Sequence, residues 1–110
     1  MRRLTVLFVA VAALTACSAG APPVTPELVT AAQKTWPDAT NDEITHGRLL
    51  LTTRCTACHG VRGPADYHLS DWEYYLKEMG QRAKLDEIEA KALRRYVLTA
   101  HEPLPAPAAH

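Results

Sequence analysis

The sequence predicts a small all-α domain behind an export signal. Past the first sixteen positions, apolar residues recur at three- and four-residue spacing, and no run alternates in the way a strand requires. Each spaced segment also opens on a capping residue, and the first and third close at Pro and Gly. With 110 residues and no internal repeat, the chain has room for one such domain.

The N-terminus is read first because it decides what belongs to the fold. Met1-Arg2-Arg3 is a short basic start, and Leu4 to Leu14 is apolar apart from Thr5. That layout is an export signal, too short for the roughly 20 apolar residues a membrane span needs. Leu14-Thr15-Ala16-Cys17 resembles a bacterial lipobox, which implies lipidation of Cys17. The alternative is cleavage by an ordinary signal peptidase, leaving Cys17 a free thiol. The expected organisation is therefore a signal over 1–16, a tether over 17–25, a helical domain over 26–101 and a Pro/Ala-rich tail over 102–110. The expected location is the bacterial cell envelope, lipid-anchored and facing the periplasm. Ser18 in place of an aspartate agrees with outer-membrane sorting.

Loss of the signal removes Arg2 and Arg3, leaving 10 Lys and Arg against 12 Asp and Glu, a balance of 10 − 12 = −2. Nucleic-acid binding driven by charge is thereby excluded. Phe8, the only phenylalanine, leaves as well. The remaining core is thin for a domain under about 100 residues, which often needs a metal, disulfide or cofactor.

Four helices follow in order. Thr25-Pro26-Glu27 caps the first, which runs to about Lys34 before Trp36-Pro37. Thr40 or Asn41 caps the second, with Ile44, Gly47, Leu50 and Leu51 along one side. Ser70-Asp71-Trp72-Glu73 has the form of a capping box opening a third helix that stops at Gly80. Asp86 to Glu89 opens a fourth through about Ala100, with Leu85, Ile88, Ala92, Tyr96 and Ala100 as its buried stripe.

Cys55, Cys58 and His59 form Cys-x-x-Cys-His, the spacing of covalent haem attachment. Two thiols one helical turn apart reach the two vinyl groups of one porphyrin, and the adjacent histidine is aimed at the iron. A thioredoxin-type disulfide would want a neighbouring strand. A zinc site would need two more ligands, of which only His68 is in view. A structural disulfide suits an exported chain but leaves His59 accidental.

From Trp36 to Leu98 the chain resembles the bacterial class I cytochromes c, in particular short membrane-tethered monohaem proteins. The resemblance is carried by Gly47 to Leu51, Arg54 to Gly60, Trp72 to Met79, Ala83 to Asp86 and Ile88 to Val97. It implies a helical fold around one haem c, in which a glycine and an aromatic meet where two helices cross, at positions matched by Gly47 and Tyr96. It also implies an electron carrier, alone or as an oxidoreductase subunit, rather than an enzyme. The short stretch between His59 and Met79 implies an exposed haem edge.

The proximal iron ligand is then His59, and Met79, 79 − 59 = 20 residues later, is the family-like distal one. Trp72, Tyr75, Leu76 and Met79 also make an ordinary core stripe, on which methionine is usually filler. His68 is the rival ligand, His46 is committed to helix packing, and His101 and His110 are expected in solvent. In the family a proline carbonyl holds the proximal imidazole, which points to Pro64. Arg54, Arg62, Trp72 and Tyr67 are candidate donors to the haem propionates. The expected partners are a redox-protein donor and acceptor and, through the lipid, the membrane. The alternative function is a haem with an open or labile distal site for gas sensing or peroxide chemistry.

Overall fold

Four helices, α1 (Pro26–Thr35), α2 (Asn41–Thr53), α3 (Leu69–Arg82) and α4 (Glu87–Ala100), with a 3-10 turn at Pro64–Asp66, form the computed structural model, which describes residues 20–55 and 63–102. The described residues contain no strand, so the fold class is all-α. Three caps follow from the sequence. Thr25 Oγ1 accepts from the Leu28 N–H at 3.2 Å, and Thr40 Oγ1 from that of Glu43 at 3.1 Å. Asp86 and Glu89 exchange side-chain and backbone bonds at 2.8 and 3.3 Å, a reciprocal capping box.

The centre of the fold is α4, on which α1, α2, α3 and the 3-10 turn all lean, α2 most closely. Ile44, Gly47, Leu50 and Leu51 are buried, as the spacing of α2 predicts. At Gly47 the two helices nearly touch: a Cβ there would overlap the Ala92 carbonyl oxygen and stand 2.7 Å from Tyr96 Cβ. Absence of a side chain, rather than backbone freedom, is what this glycine contributes.

Three expectations about the helices are corrected. α3 is capped by His68 rather than Ser70, because the His68 carbonyl accepts from both Asp71 and Trp72 at 3.0 Å, while Trp72 is buried and bonded elsewhere. α3 also runs through Gly80 to Arg82. Its stop is Lys84, at φ 55°, with the Lys84 N–H on the Gln81 carbonyl and the Leu85 N–H on the Gly80 carbonyl. That is a Schellman closure with lysine where glycine is favoured. On α4 the buried stripe is Ala92, Leu93, Tyr96, Val97 and Ala100, whereas Ile88 is 75% exposed. Ile88 lies on the same side as Ala92 and Tyr96 but one turn before the α2 crossing at Ala92, where it is left uncovered.

Arg95 is buried and carries the α1–α2 corner. Its guanidinium bonds Glu43 at 3.0 Å and Asp38 at 3.2 Å and lies 5.5 Å from the Trp36 ring centroid. Hydrogen bonding to Arg95 holds the Asp38 carboxyl below its ordinary range, against a smaller opposing effect of desolvation.

The segment read as a tether is docked from Gly20 onward. Ala21 is buried, and its carbonyl accepts from Arg48 Nη2 at 3.1 Å. The Pro22 carbonyl accepts from Arg48 Nε at 3.0 Å and from the Tyr96 hydroxyl at 2.6 Å. Burial pushes the Tyr96 phenol up to about 12, so it stays a donor across the physiological range.

Two outcomes follow from these features. Lys84→Gly should relieve the left-handed strain and stabilise the protein by about 0.5–1 kcal/mol, seen as a Tm several degrees higher. Because the Asp38 pKa is lowered on folding, its contribution is complete above the unfolded value near ~4 and is lost as pH falls through the lower folded value. Urea titrations at a series of acid pH values should therefore show a shallower loss of stability for Asp38→Asn than for the native chain.

Candidate functional site

Cys55 follows the last turn of α2, half-buried against the core. Burial pushes its thiol up, with the Arg54 charge pulling the other way. Cys17, Cys58, His59 and Arg62 lie outside the described residues. The chain on either side of the 56–62 segment is described, and both sides are fixed.

On the upstream side, Arg54 reaches from the end of α2 to the residue after α3 and to the first turn of α4. Nη2 donates to the Ala83 carbonyl and Nη1 to Glu89 at 3.4 Å. The residue before Cys55 is thereby tied to the end of α3, one turn beyond Met79. Arg54, a candidate propionate donor, is thus engaged within the protein.

On the downstream side, Gly63 is buried beneath Gly20, whose φ of 77° suits glycine, and a Cβ on Gly20 would stand 3.0 Å from Gly63 Cα. Asp66 closes the turn by accepting from the Gly63 N–H at 2.6 Å. Pro64 is fully buried, and its carbonyl accepts from Trp72 Nε1 at 2.7 Å. Two residues expected to support a haem separately are therefore bonded to each other. The indole has one N–H, so Trp72 can donate to a propionate only by leaving Pro64, whereas the carbonyl keeps a second lone pair. Tyr67 stands edge-on to Trp72 at 5.3 Å and 4.8 Å from Tyr75, centroid to centroid.

Met79 lies within α3 and is half-buried. Trp72 belongs to the buried core, Tyr75 and Leu76 pack on it, and Met79 is not among the described side chains that do. The expected helix end at Gly80 is absent, so Met79 is presented by a continuous helix and not by a turn.

The histidines divide. His68 is exposed at the start of α3, and His46 is half-buried on α2. His101, expected in solvent, is instead held in place: Nε2 lies 2.7 Å from the Tyr67 carbonyl and Nδ1 3.2 Å from Glu102. A carbonyl only accepts, so Nε2 carries the proton of that bond. His110 lies outside the described residues. No group of three or more His, Cys, Asp or Glu suited to a metal occurs among the described residues. An open groove of about 520 Å³ lies away from Cys55, between the end of α1, the start of α3 and the second half of α4, with Trp36, Leu69 and Arg94 on its walls.

The contact of Arg54 with Ala83 joins residues 29 positions apart and that of Trp72 with Pro64 residues 8 apart across the turn, and no local pattern announced either. The N-terminus is more direct. Residues 1–18 match the prokaryotic membrane lipoprotein lipid attachment site. The chain carries a lipoprotein attachment signal. This supports a lipid-anchored protein of the bacterial envelope, and no described helix is long and apolar enough to cross a membrane. No curated relative and no solved structure matches the lipoprotein.

Trp72→Phe keeps the ring and removes the donor, leaving the buried Pro64 carbonyl unsatisfied. It should cost about 1–3 kcal/mol in urea unfolding.

Proposed function

We propose that this lipoprotein is a monohaem c-type cytochrome of the envelope, facing the periplasm, that passes single electrons between redox proteins. The observation that carries the reading is Cys55-Thr56-Ala57-Cys58-His59 in a chain with a lipoprotein export signal, since covalent haem attachment belongs to exported proteins. The donor set fits the group: two thiols for thioether bonds, an imidazole, and a thioether 20 residues on. When bound, haem c supplies an iron that takes up and releases one electron.

The chain's own residues would do the rest. Cys55 and Cys58 would hold the porphyrin, and His59 and Met79 would ligate the iron. Arg54 fixes the approach to Cys55 against the end of α3, which limits how far Met79 can move from the motif. The half-buried position of Met79, off the packed core, favours ligation over filling. Pro64 lies close after the motif with its carbonyl turned inward, where an imidazole N–H could share it with Trp72. Lipid attachment at Cys17 would keep the carrier beside membrane-bound donors and acceptors, and outer-membrane sorting agrees with Ser18.

One observation favours the second reading, a labile distal site for gas or peroxide chemistry. α3 continues past Met79, so no local turn helps the thioether toward the iron.

Absorption spectra of the matured protein beside Met79→Ala separate the two. A low-spin spectrum with the weak sulfur-to-iron band, lost in Met79→Ala, is the expected result. High-spin iron that takes carbon monoxide readily in the native protein would overturn Met79 ligation, and absence of covalent haem would overturn the reading as a whole.

A further inference from the structure

The export signal and the fold meet at Gly20. A nine-residue tether over 17–25, if free, would let the domain swing through about 30 Å. The described half of that segment is not free. Ala21 is buried with 2% exposure, and the Ala21 and Pro22 carbonyls together receive three hydrogen bonds, two from Arg48 on α2 and one from Tyr96 on α4. Gly20 is pressed onto Gly63 at the start of the 3-10 turn. Tyr96 is fully buried and part of the α2–α4 crossing, so the clamp is built from the most rigid part of the fold.

We infer that the docked segment turns the lipid anchor into a short leash that seats one particular face of the domain, that of Gly20, Gly63 and the Pro64–Asp66 turn, on the bilayer surface. Between Cys17 and Gly20 there are three Cα steps, a reach of at most about 11 Å. That reach fixes which side faces the lipid. Arg95, next to Tyr96 and about 100° around α4, points instead to Asp38 beyond the end of α1. The α1 end around Lys34 therefore lies on a different flank from the clamp. The inference rests on lipidation at Cys17 and is independent of haem. Joined to the proposed function, it places electron exchange at the membrane surface, because residue 63, four positions after His59 (63 − 59 = 4), belongs to the seated face.

The test uses the full matured lipoprotein in phosphatidylethanolamine–phosphatidylglycerol liposomes. Nitroxides are carried on keto residues replacing Ala65 or Lys34, one at a time, both exposed positions, so that the native cysteines stay untouched. A paramagnetic metal chelated to lipid headgroups reports proximity. Relaxation at position 65 should exceed that at 34 by roughly threefold or more, given the short reach of the leash. In the combined variant Arg48→Gln, Tyr96→Phe the difference should collapse, and a label replacing Pro23 should change from a slow to a fast line shape. Equal relaxation at 65 and 34 in native protein whose mass includes the acyl chains would overturn the seated face. A fast label at 23 in that same protein would overturn the clamp. Protein of unlipidated mass that does not float with the vesicles would instead overturn the anchoring on which the inference rests.

Discussion

The fold depends on how closely α2 can approach α4. With hydrogen in place of a side chain at Gly47, the backbone of α2 comes against the Ala92 carbonyl and the Tyr96 side chain. Tyr96 is then buried completely, and its hydroxyl emerges where the N-terminal segment passes. The same crossing lines up Glu43 with Arg95 at one end and Arg54 with Glu89 at the other. One close approach thus sets the register of two helices, the α1–α2 corner and the docking of residues 20–22.

The second constraint is that α4 is shared. α2 and α3 make their main contacts with α4 rather than with each other. The core that results is rich in small side chains, with Ala21, Ala32, Ala39, Ala92 and Ala100 among its members. Such a core gains less from burial per residue than one of larger groups. Long-range polar bonds from buried or half-buried groups, Trp72 to Pro64 and Arg95 to Glu43, therefore carry much of the specificity.

Much of this was legible in the chain. The α2 face and the caps at Thr25, Thr40 and Asp86 follow from spacing and side-chain chemistry, both local properties. The boundaries of α3 did not. Ser70 and Gly80 are good start and stop residues in isolation, but the buried Trp72 and the left-handed Lys84 decide the ends, and a lysine at positive φ leaves no mark in a sequence. Ile88 fits the helical period of α4, yet period alone does not say how far the neighbouring helix extends. The candidate site divides in the same way: Cys55, Cys58 and His59 could be named from spacing and Met79 from the family resemblance, whereas the engagement of Arg54 with Ala83 and of His101 with Tyr67 joins residues about thirty positions apart. The tether looked loose because small residues and prolines carry no period, and its carbonyls, which hold it, are common to every sequence.

Under the proposed function, these contacts bear on how a short attachment segment would work in so small a domain. A loop whose ends are free loses conformational entropy each time it must present several groups at once, of order 1–2 kcal/mol per ordered residue. Here the two flanks of residues 56–62 are already fixed, by Arg54 on one side and by Gly20, Trp72 and His101 on the other. Under the proposed function, the helical frame would thus supply part of the ordering needed to aim Cys55, Cys58 and His59 at one porphyrin. The remaining donor in that proposal is Met79, on α3, whose end Arg54 reaches through Ala83. Under the proposed ligation, the distance between Arg54 and the end of α3 is the variable through which the rest of the fold would act on the iron.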